Sequence, residues 1–409
     1  MEISCKGIRG LAILMLMTAA FAQNGKPSWV QWRGPDRTGI SKETGWRAGG
    51  RAETLWSKNI GMGYSTVSIA DGRLYTQGHD KEKQKDTIVC LDALTGEKIW
   101  SHTFPAKTMK MAHRGGTLST PSIDGEVVWA SNREGNFFCF DAKTGKIKFK
   151  KNLIKKHGAK MPTWGLAAAP LVLDDAVVMN VGPVIAFNRK GKIIWKTKNY
   201  GHAYATPVDF THKQKKYFAV FSGSGLTVLA RKSGKKVATS KWKTRYDVNA
   251  ATPVVIGNKI FISSGYNRGC SMLEFNGRTL KTLWENKSMR NHMAGCVHYE
   301  DHLYGFDEST LKCLDLEGET KWAQRGLGKG AFLLADGKLI VISHRGDLVI
   351  ANASPDKFEE LSRDTVLSGG VKWATPVLCG GLIYVRGSMG QLVCVDRRAE
   401  ATEPAKPKK

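Results

Sequence analysis

The stretch CLDALTGEKIW, residues 90–100, brings a thiol, a carboxylate and a hydroxyl close together as Cys90, Asp92 and Thr95. A thiol whose pKa is lowered by its surroundings is a nucleophile, and a neighbouring carboxylate can orient a base for it. A second stretch, HMAGCVHYEDH, holds His292, His298 and His302, residues that bind a metal such as zinc when they converge. GLGKGA (326–331) has the glycines of a phosphate loop but lacks its length and its Lys-Ser/Thr. No Gly-x-Ser-x-Gly elbow occurs. Whether any of these groups does chemistry depends on the elements that carry them.

Those elements repeat. TPSIDGEVVWASNREGNFFCFDAKTGKIKF (120–149), TPVVIGNKIFISSGYNRGCSMLEFNGRTLKTLW (252–284) and TPVLCGGLIYVRGSMGQLVCVDRR (375–398) share one pattern. Thr-Pro opens a short apolar strand, and further strands follow, separated by Gly-containing turns. First strands align at Val67, Pro121, Pro170, Pro207, Pro253, Cys296, Phe332 and Pro376. That spacing, with its period-two alternation, predicts an all-β fold: an eight-bladed β-propeller of four-stranded antiparallel blades. Seven blades would result if the weaker repeats near 295 and 332 merged. The last repeat stops after its third strand, at Asp396, which would leave an open edge. ETLWSKN (53–59) has the pattern of a fourth strand, its Trp56 matching Trp100, Trp195, Trp284 and Trp322, and is expected to close the ring.

The repeat answers the question posed by the opening stretch. Cys90 recurs as Cys139, Cys313 and Cys394, and the equivalent position in the third repeat is Ala186. A slot that accepts Cys or Ala is small and apolar. Asp92 and Thr95 recur as Asp141 and Thr144 ahead of a Gly and serve the turn. The aligned Trp residues should dock between blades. His298 and His302 flank a strand turn while His292 falls in a different loop, so no metal site is expected there.

Chemistry is therefore sought in the loops that do not repeat. Loops entering the first strands crowd around the mouth of the central channel, on the face shared with the turns between second and third strands. They contribute Tyr64, His113, Arg114, Trp164, His202, Tyr204, Asn249, Asn291, His292, Lys329, Lys372 and Trp373 as ligand- or cofactor-binding candidates. The set is aromatic, amide-bearing and cationic, suited to a flat anionic or polyhydroxylated ligand. In the competing reading Trp164 and Trp373 plug the channel and the His and Arg residues are solvated at its rim.

The flanks bound the domain. Lys6 and Arg9, an apolar run and AFA (20–22) read as a signal peptide over residues 1–22, cut after Ala22, which directs the protein to the periplasm or outside the cell. Cys5 precedes the apolar run and cannot be a lipid acceptor, and no later run is long enough to span a membrane. Residues 23–50, with three Trp, should pack on the propeller (51–397), and 398–409 should be a disordered tail. The chain is strongly basic, net +26, or +25 without the signal peptide. Such a field favours anionic partners or is a solvated surface. Export and the lack of a basic-aromatic module argue against nucleic acid. Removal of Cys5 leaves seven cysteines, an odd number, so at least one thiol is not in an internal disulfide.

LDALTGEKIW, FDAKTGKIKF and LDLEGETKW resemble the tryptophan-docking repeats of pyrroloquinoline-quinone-binding-like β-propellers, over about residues 27–397. That superfamily includes quinoprotein alcohol dehydrogenases and the propeller lipoprotein of outer-membrane barrel assembly. QWRGPDRTG, ANASPDKFEELSR (351–363) and WATPVLCGGLIYVRG (373–387) resemble an exported bacterial subgroup. In the enzymes, the resemblance implies pyrroloquinoline quinone with Ca²⁺ held by carboxylate and amide oxygens, and an Asp base. Here the mouth loops offer only Asp247, and the vicinal Cys-Cys pair of many such enzymes is absent. The leading expectation is an exported, monomeric, non-catalytic propeller that needs no cofactor and binds an envelope protein or an anionic polymer. The alternatives are a pyrroloquinoline-quinone-dependent alcohol dehydrogenase, its substrate possibly polymeric, and an acidic-glycan-binding module.

Overall fold

The computed structural model describes residues 27–109, 115–159 and 161–399. The expected signal peptide, His113, Arg114 and the tail from residue 400 lie outside them.

Eight antiparallel sheets follow one another along the chain. Seven are built from consecutive strands, over residues 68–105, 122–152, 171–199, 208–241, 254–286, 297–324 and 331–365. The eighth takes three strands from 377–396 and its fourth from Glu53–Asn59, which pairs antiparallel with Gln391–Asp396. The fold is thus the eight-bladed propeller read from the repeats, its ring closed by the N-terminal strand. The weak repeats near 295 and 332 remain separate blades, the sixth and seventh. Helix is almost absent: Leu153–His157 forms one short α-turn, capped by Asn152 Oδ1.

The core lies between blades rather than within them. Every seam has its own buried cluster, such as Tyr75, Cys90, Trp100, Phe138 and Phe140 between blades 1 and 2, and Trp56, Leu91, Tyr384 and Cys394 between blades 8 and 1. A flat four-stranded sheet has two apolar faces, and only stacking against two neighbours buries both. The aligned Trp residues reach across these seams. Trp56, Trp100, Trp195, Trp284 and Trp322 donate their indole N–H to the carbonyls of Ala93, Ala142, Arg231, Leu316 and Ser354, each in the next blade. In the turn, Asp92 Oδ1 accepts from the N–H groups of Leu94 and Thr95 and from the Thr95 hydroxyl. Asp141 repeats this with Lys143 and Thr144. Among the described residues all seven cysteines are free and buried.

The segment 27–52 runs across the face opposite the mouth and bonds to every blade or to the residue leading into it. Trp29 exchanges backbone hydrogen bonds with Ile69 (blade 1), Val30 accepts from Ile123 (blade 2), and Gln31 accepts from Val172 N (blade 3). Arg37 pairs with Asp209 (blade 4) at 2.5 Å. Trp32 donates to Thr252 Oγ1 (blade 5), and Arg33 to the Cys296 carbonyl (blade 6). Ile40–Ser41 adds a parallel strand to blade 7, and Glu43 accepts from Gly381 N (blade 8). The segment thus ties the inner strands together on that face.

Candidate functional site

Buried arginines shape the mouth. Arg386, in the second strand of blade 8, donates to the carbonyls of Ser65 (2.6 Å) and Gly61 (3.0 Å) and so fixes the loop carrying Tyr64. It faces only carbonyls and one hydroxyl, and burial lowers its pKa to about 9. Arg133, in blade 2, does the same for the next loop by donating to the carbonyls of Gly116 and Lys107. Its charge is met by Asp86, 2.9 Å away, both side chains being fully buried. Asp86 also accepts from Asn132 (3.0 Å) and contacts His79 Nδ1 (2.8 Å), while His79 Nε2 meets Thr108 Oγ1 (2.7 Å). A carboxylate can only accept, so Nδ1 carries a proton toward Asp86. This Asp–His–Thr chain has the form of a catalytic relay. Its members are clamped by Arg133 and by Gln84, which donates to Thr108 Oγ1 (2.7 Å), so it works as a tether for the loop beginning at residue 106.

The loops enclose a cavity of about 180 Å³ at the channel mouth. One wall is the stacked pair Tyr64 and Trp373, ring centroids 5.4 Å apart. The other is formed by Trp164, Tyr266 and His292: Tyr266 packs edge-on against His292 (4.5 Å), and Tyr246, outside the lining, bridges Trp164 and Tyr266 edge-to-face at 5.7 Å each. Trp32 of the N-terminal segment lines it from the opposite face, with Thr120, Thr206 and Thr252 from the Thr-Pro starts of the blades. Met109, Leu118, Val248 and Met293 complete an apolar interior. Burial pushes the Tyr204 hydroxyl up to about 12 and raises that of Tyr266, so both stay neutral.

Of the candidates read from the sequence, Tyr64, Trp164, Tyr204, His292 and Trp373 line this cavity. Lys329 sits beside it, 3.1 Å from His292 Nδ1 and 2.5 Å from Glu308. Glu308 also lies 3.4 Å from His292 and is held down to about 2 by the hydrogen bond from His292, against desolvation, with Lys329 adding to the effect. His202 packs edge-on to Tyr204, outside the lining. Three candidates serve the fold instead. Asn249 donates to the carbonyls of Ser222 and Trp242 and accepts from Ser264, and Asn291 donates to the Phe306 carbonyl. Lys372 is buried and gives its ammonium to the carbonyls of Gly369 and Gly370. Loop entries leave carbonyls without ladder partners, and amides and ammonium groups satisfy them. Among the described residues the cavity lining is aromatic and carries no Lys or Arg, while Lys329, paired with Glu308, and Arg245, 4.9 Å over the Tyr246 ring, stand beside it.

Sequence reasoning missed Tyr246, Tyr266, Glu308, Met109 and Trp32. Tyr266 and Glu308 lie in second-to-third-strand turns, a signal that was available: those turns share the mouth face. Trp32 comes from a segment with no repeat to place it.

A calcium-bound quinone cofactor needs several oxygen ligands with carboxylates among them. The described lining supplies hydroxyls, rings and His292 but no carboxylate, and the amides of Asn249 and Asn291 are committed to the backbone. No group of three or more His, Cys, Asp or Glu among the described residues is arranged to hold a metal. The lining does not fit that group.

A family model described as outer membrane protein assembly factor BamB matches residues 84–324, more than half of the chain. No curated protein matches. Among solved structures, BamB from Moraxella catarrhalis superposes with a TM-score of 0.61 at 13% identity, covering 85% of this chain and 100% of that one. The quinohemoprotein alcohol dehydrogenase from Comamonas testosteroni gives 0.67 at 12% identity, covering 93% and 82%. A europium-containing methanol dehydrogenase gives 0.67 at 11%, covering 90% and 98%. Likeness at these identities is likeness of fold.

Proposed function

This chain belongs to the family described as outer membrane protein assembly factor BamB, and from that premise we propose that it is an exported, non-catalytic binding propeller of the cell envelope. Its mouth receives an apolar or aromatic segment of a partner protein. One observation carries the reading: the mouth cavity lies between two aromatic walls, Tyr64–Trp373 and Trp164–Tyr266–His292, with an apolar interior and with Tyr246 packed behind the second wall. Aromatic rings bury large areas with little loss of conformational freedom, which is how protein-recognition surfaces gain affinity. Tyr246, half exposed, packs edge-on against Trp164 and Tyr266 of the lining, which leaves its ring available to an arriving segment. No helix among the described residues is long and apolar enough to cross a membrane.

The test is photo-crosslinking in the native envelope from a benzoylphenylalanine at Tyr246, with one at Lys143 on the opposite face as control. A discrete protein adduct from Tyr246 alone supports the reading. The rival dehydrogenase reading is tested on purified protein given pyrroloquinoline quinone, Ca²⁺ and alcohols. Alcohol-dependent reduction of an artificial acceptor would overturn the non-catalytic reading.

A further inference from the structure

The positive charge of this protein is not spread around the ring. Residues 143–243, which run from the third-to-fourth-strand turn of blade 2 to just past blade 4, hold 22 Lys and Arg against 3 Asp and no Glu. Residues 244–399, over half as long again, hold 19 against 17. Most of the +26 is therefore carried by one sector.

Apart from half-buried Lys151, the described lysines of the sector are exposed. Of its 22 cations, 20 are Lys. The two arginines are spent on ion pairs, Arg189 with Asp124 and Arg231 with Asp175 across blade seams, and Arg231 with Asp209 within blade 4. Among the described lysines only Lys148 and Lys243 have carboxylate partners, Asp141 and Asp247. The rest begin at the turns on the face opposite the mouth, as at Lys190 and Lys235, and continue up the outermost strands at Lys150, Lys196 and Lys198. They end beside the mouth at Lys155 and Lys156 of the short helix. Neighbouring blades merge into one field. Beyond the effect of its burial, His157 is depressed by Lys151 and Lys156 of its own blade and by Lys196 of the next. Apolar surface is interleaved with the charge, with Ile147 and Ile194 exposed on blades 2 and 3 and Lys151 lying over the half-buried ring of Phe149.

We propose that the outer wall of blades 2–4 is a second binding site, for a flexible linear polyanion. The wall spans three of eight blades, so it curves through more than a third of the ring, and its lysines cover the full blade height. A flat bilayer touches only part of such a convex surface, whereas a polymer can follow it. Lys supplies hydrated, mobile point charges rather than the fixed fork of Arg, which suits a run of anionic groups without fixed register. The affinity then comes mainly from counterion release and falls steeply with salt. This site shares no residue with the mouth and stands or falls independently of the protein-binding reading.

The experiment measures binding of the mature protein to heparin, as a sulfated polymer, and to polygalacturonate, as a uronic one, across a salt series. Its third arm is flotation with phosphatidylcholine–phosphatidylglycerol vesicles. Two variants remove equal charge: Lys150→Gln, Lys155→Gln, Lys196→Gln and Lys198→Gln on the wall, and Lys281→Gln, Lys287→Gln, Lys321→Gln and Arg325→Gln on blades 5 and 6. The wall variant should lose about tenfold or more in affinity for one or both polymers at low salt and show a shallower salt slope, while the second variant stays within about twofold of the parent. Equal losses in the two variants would reduce the effect to net charge and overturn the site. Binding to vesicles but to neither polymer would overturn the polymer in favour of a lipid surface.

Discussion

Trp56 lies directly on Gly96 across the seam between blade 8 and blade 1. A Cβ at Gly96 would stand 2.7 Å from the indole, and Gly96 holds φ +72°. The contact joins the strand that closes the ring to the first complete blade, and it recurs at Trp100 on Gly145, Trp195 on Gly234 and Trp284 on Gly318. The glycine is needed twice, for the left-handed turn and for room under the ring.

Gly96→Ala should therefore destabilise the protein by about 2 kcal/mol or more, since the left-handed backbone alone costs roughly 1–2 kcal/mol. Trp56→Ala should cost about 3–5 kcal/mol, as for other buried aromatic truncations. Because both act at the closure, the eighth blade should lose amide-exchange protection before the others. Urea denaturation with hydrogen exchange by mass spectrometry checks both. Uniform loss of protection around the ring would show that the seam is no weaker than its neighbours.

Arg133 and Asp86 hold the loop from residue 106 through a fully buried pair. Arg133→Met would leave a buried carboxylate with less than its full set of donors, at a cost of about 3 kcal/mol or more. Burial pushes Asp86 up, but hydrogen bonds from His79 and the Arg133 charge outweigh it, and the net shift is downward. A carboxylate depressed in the folded state contributes stability above its unfolded pKa and loses it as the pH falls through the folded value. The parent should show this acid loss in a pH series of urea midpoints, and Asp86→Asn should flatten it.

The architecture was legible because it repeats. Eight copies of one strand pattern fix blade number, and a missing fourth strand at Asp396 points to Glu53–Asn59 as its substitute. The mouth was legible only in part. Position in a loop identified Tyr64, Trp164, Tyr204, His292 and Trp373, but not which way a polar side chain turns. Asn249, Asn291 and Lys372 turn inward because backbone carbonyls at the blade entries need donors, a demand that the linear sequence does not display. Glu308 reverses the electrostatics expected at Lys329 and lies 21 residues away from it in the chain.

The thiols should be silent in the native state. Burial raises Cys90 and Cys313 to about 11 and Cys139, Cys270, Cys379 and Cys394 to about 12. Cys296 is raised further by burial and by neighbouring Cys270. Native protein prepared without residues 1–22 should give no rapid reaction with a thiol reagent at pH 8, and after unfolding in urea it should titrate seven thiols. Fewer than seven after unfolding without reductant would reveal a disulfide.

Glu308 ties Lys329 to His292 at the edge of the mouth. With its pKa near 2 in the fold, its contribution is complete above its ordinary value near 4.5 and disappears only as the pH falls toward 2. Glu308→Gln removes the anion at every pH and leaves Lys329 beside His292 without a countercharge. Stability should fall by no more than about 1 kcal/mol, because the pair is partly solvated. The larger effect is local: Tyr266 stacks edge-on against His292 at 4.5 Å, so displacement of the ring loosens one aromatic wall. Crosslinking from Tyr246 should weaken in Glu308→Gln while the thermal midpoint moves by only a few degrees. A large midpoint shift with unchanged crosslinking would assign Glu308 to the fold and not to the mouth.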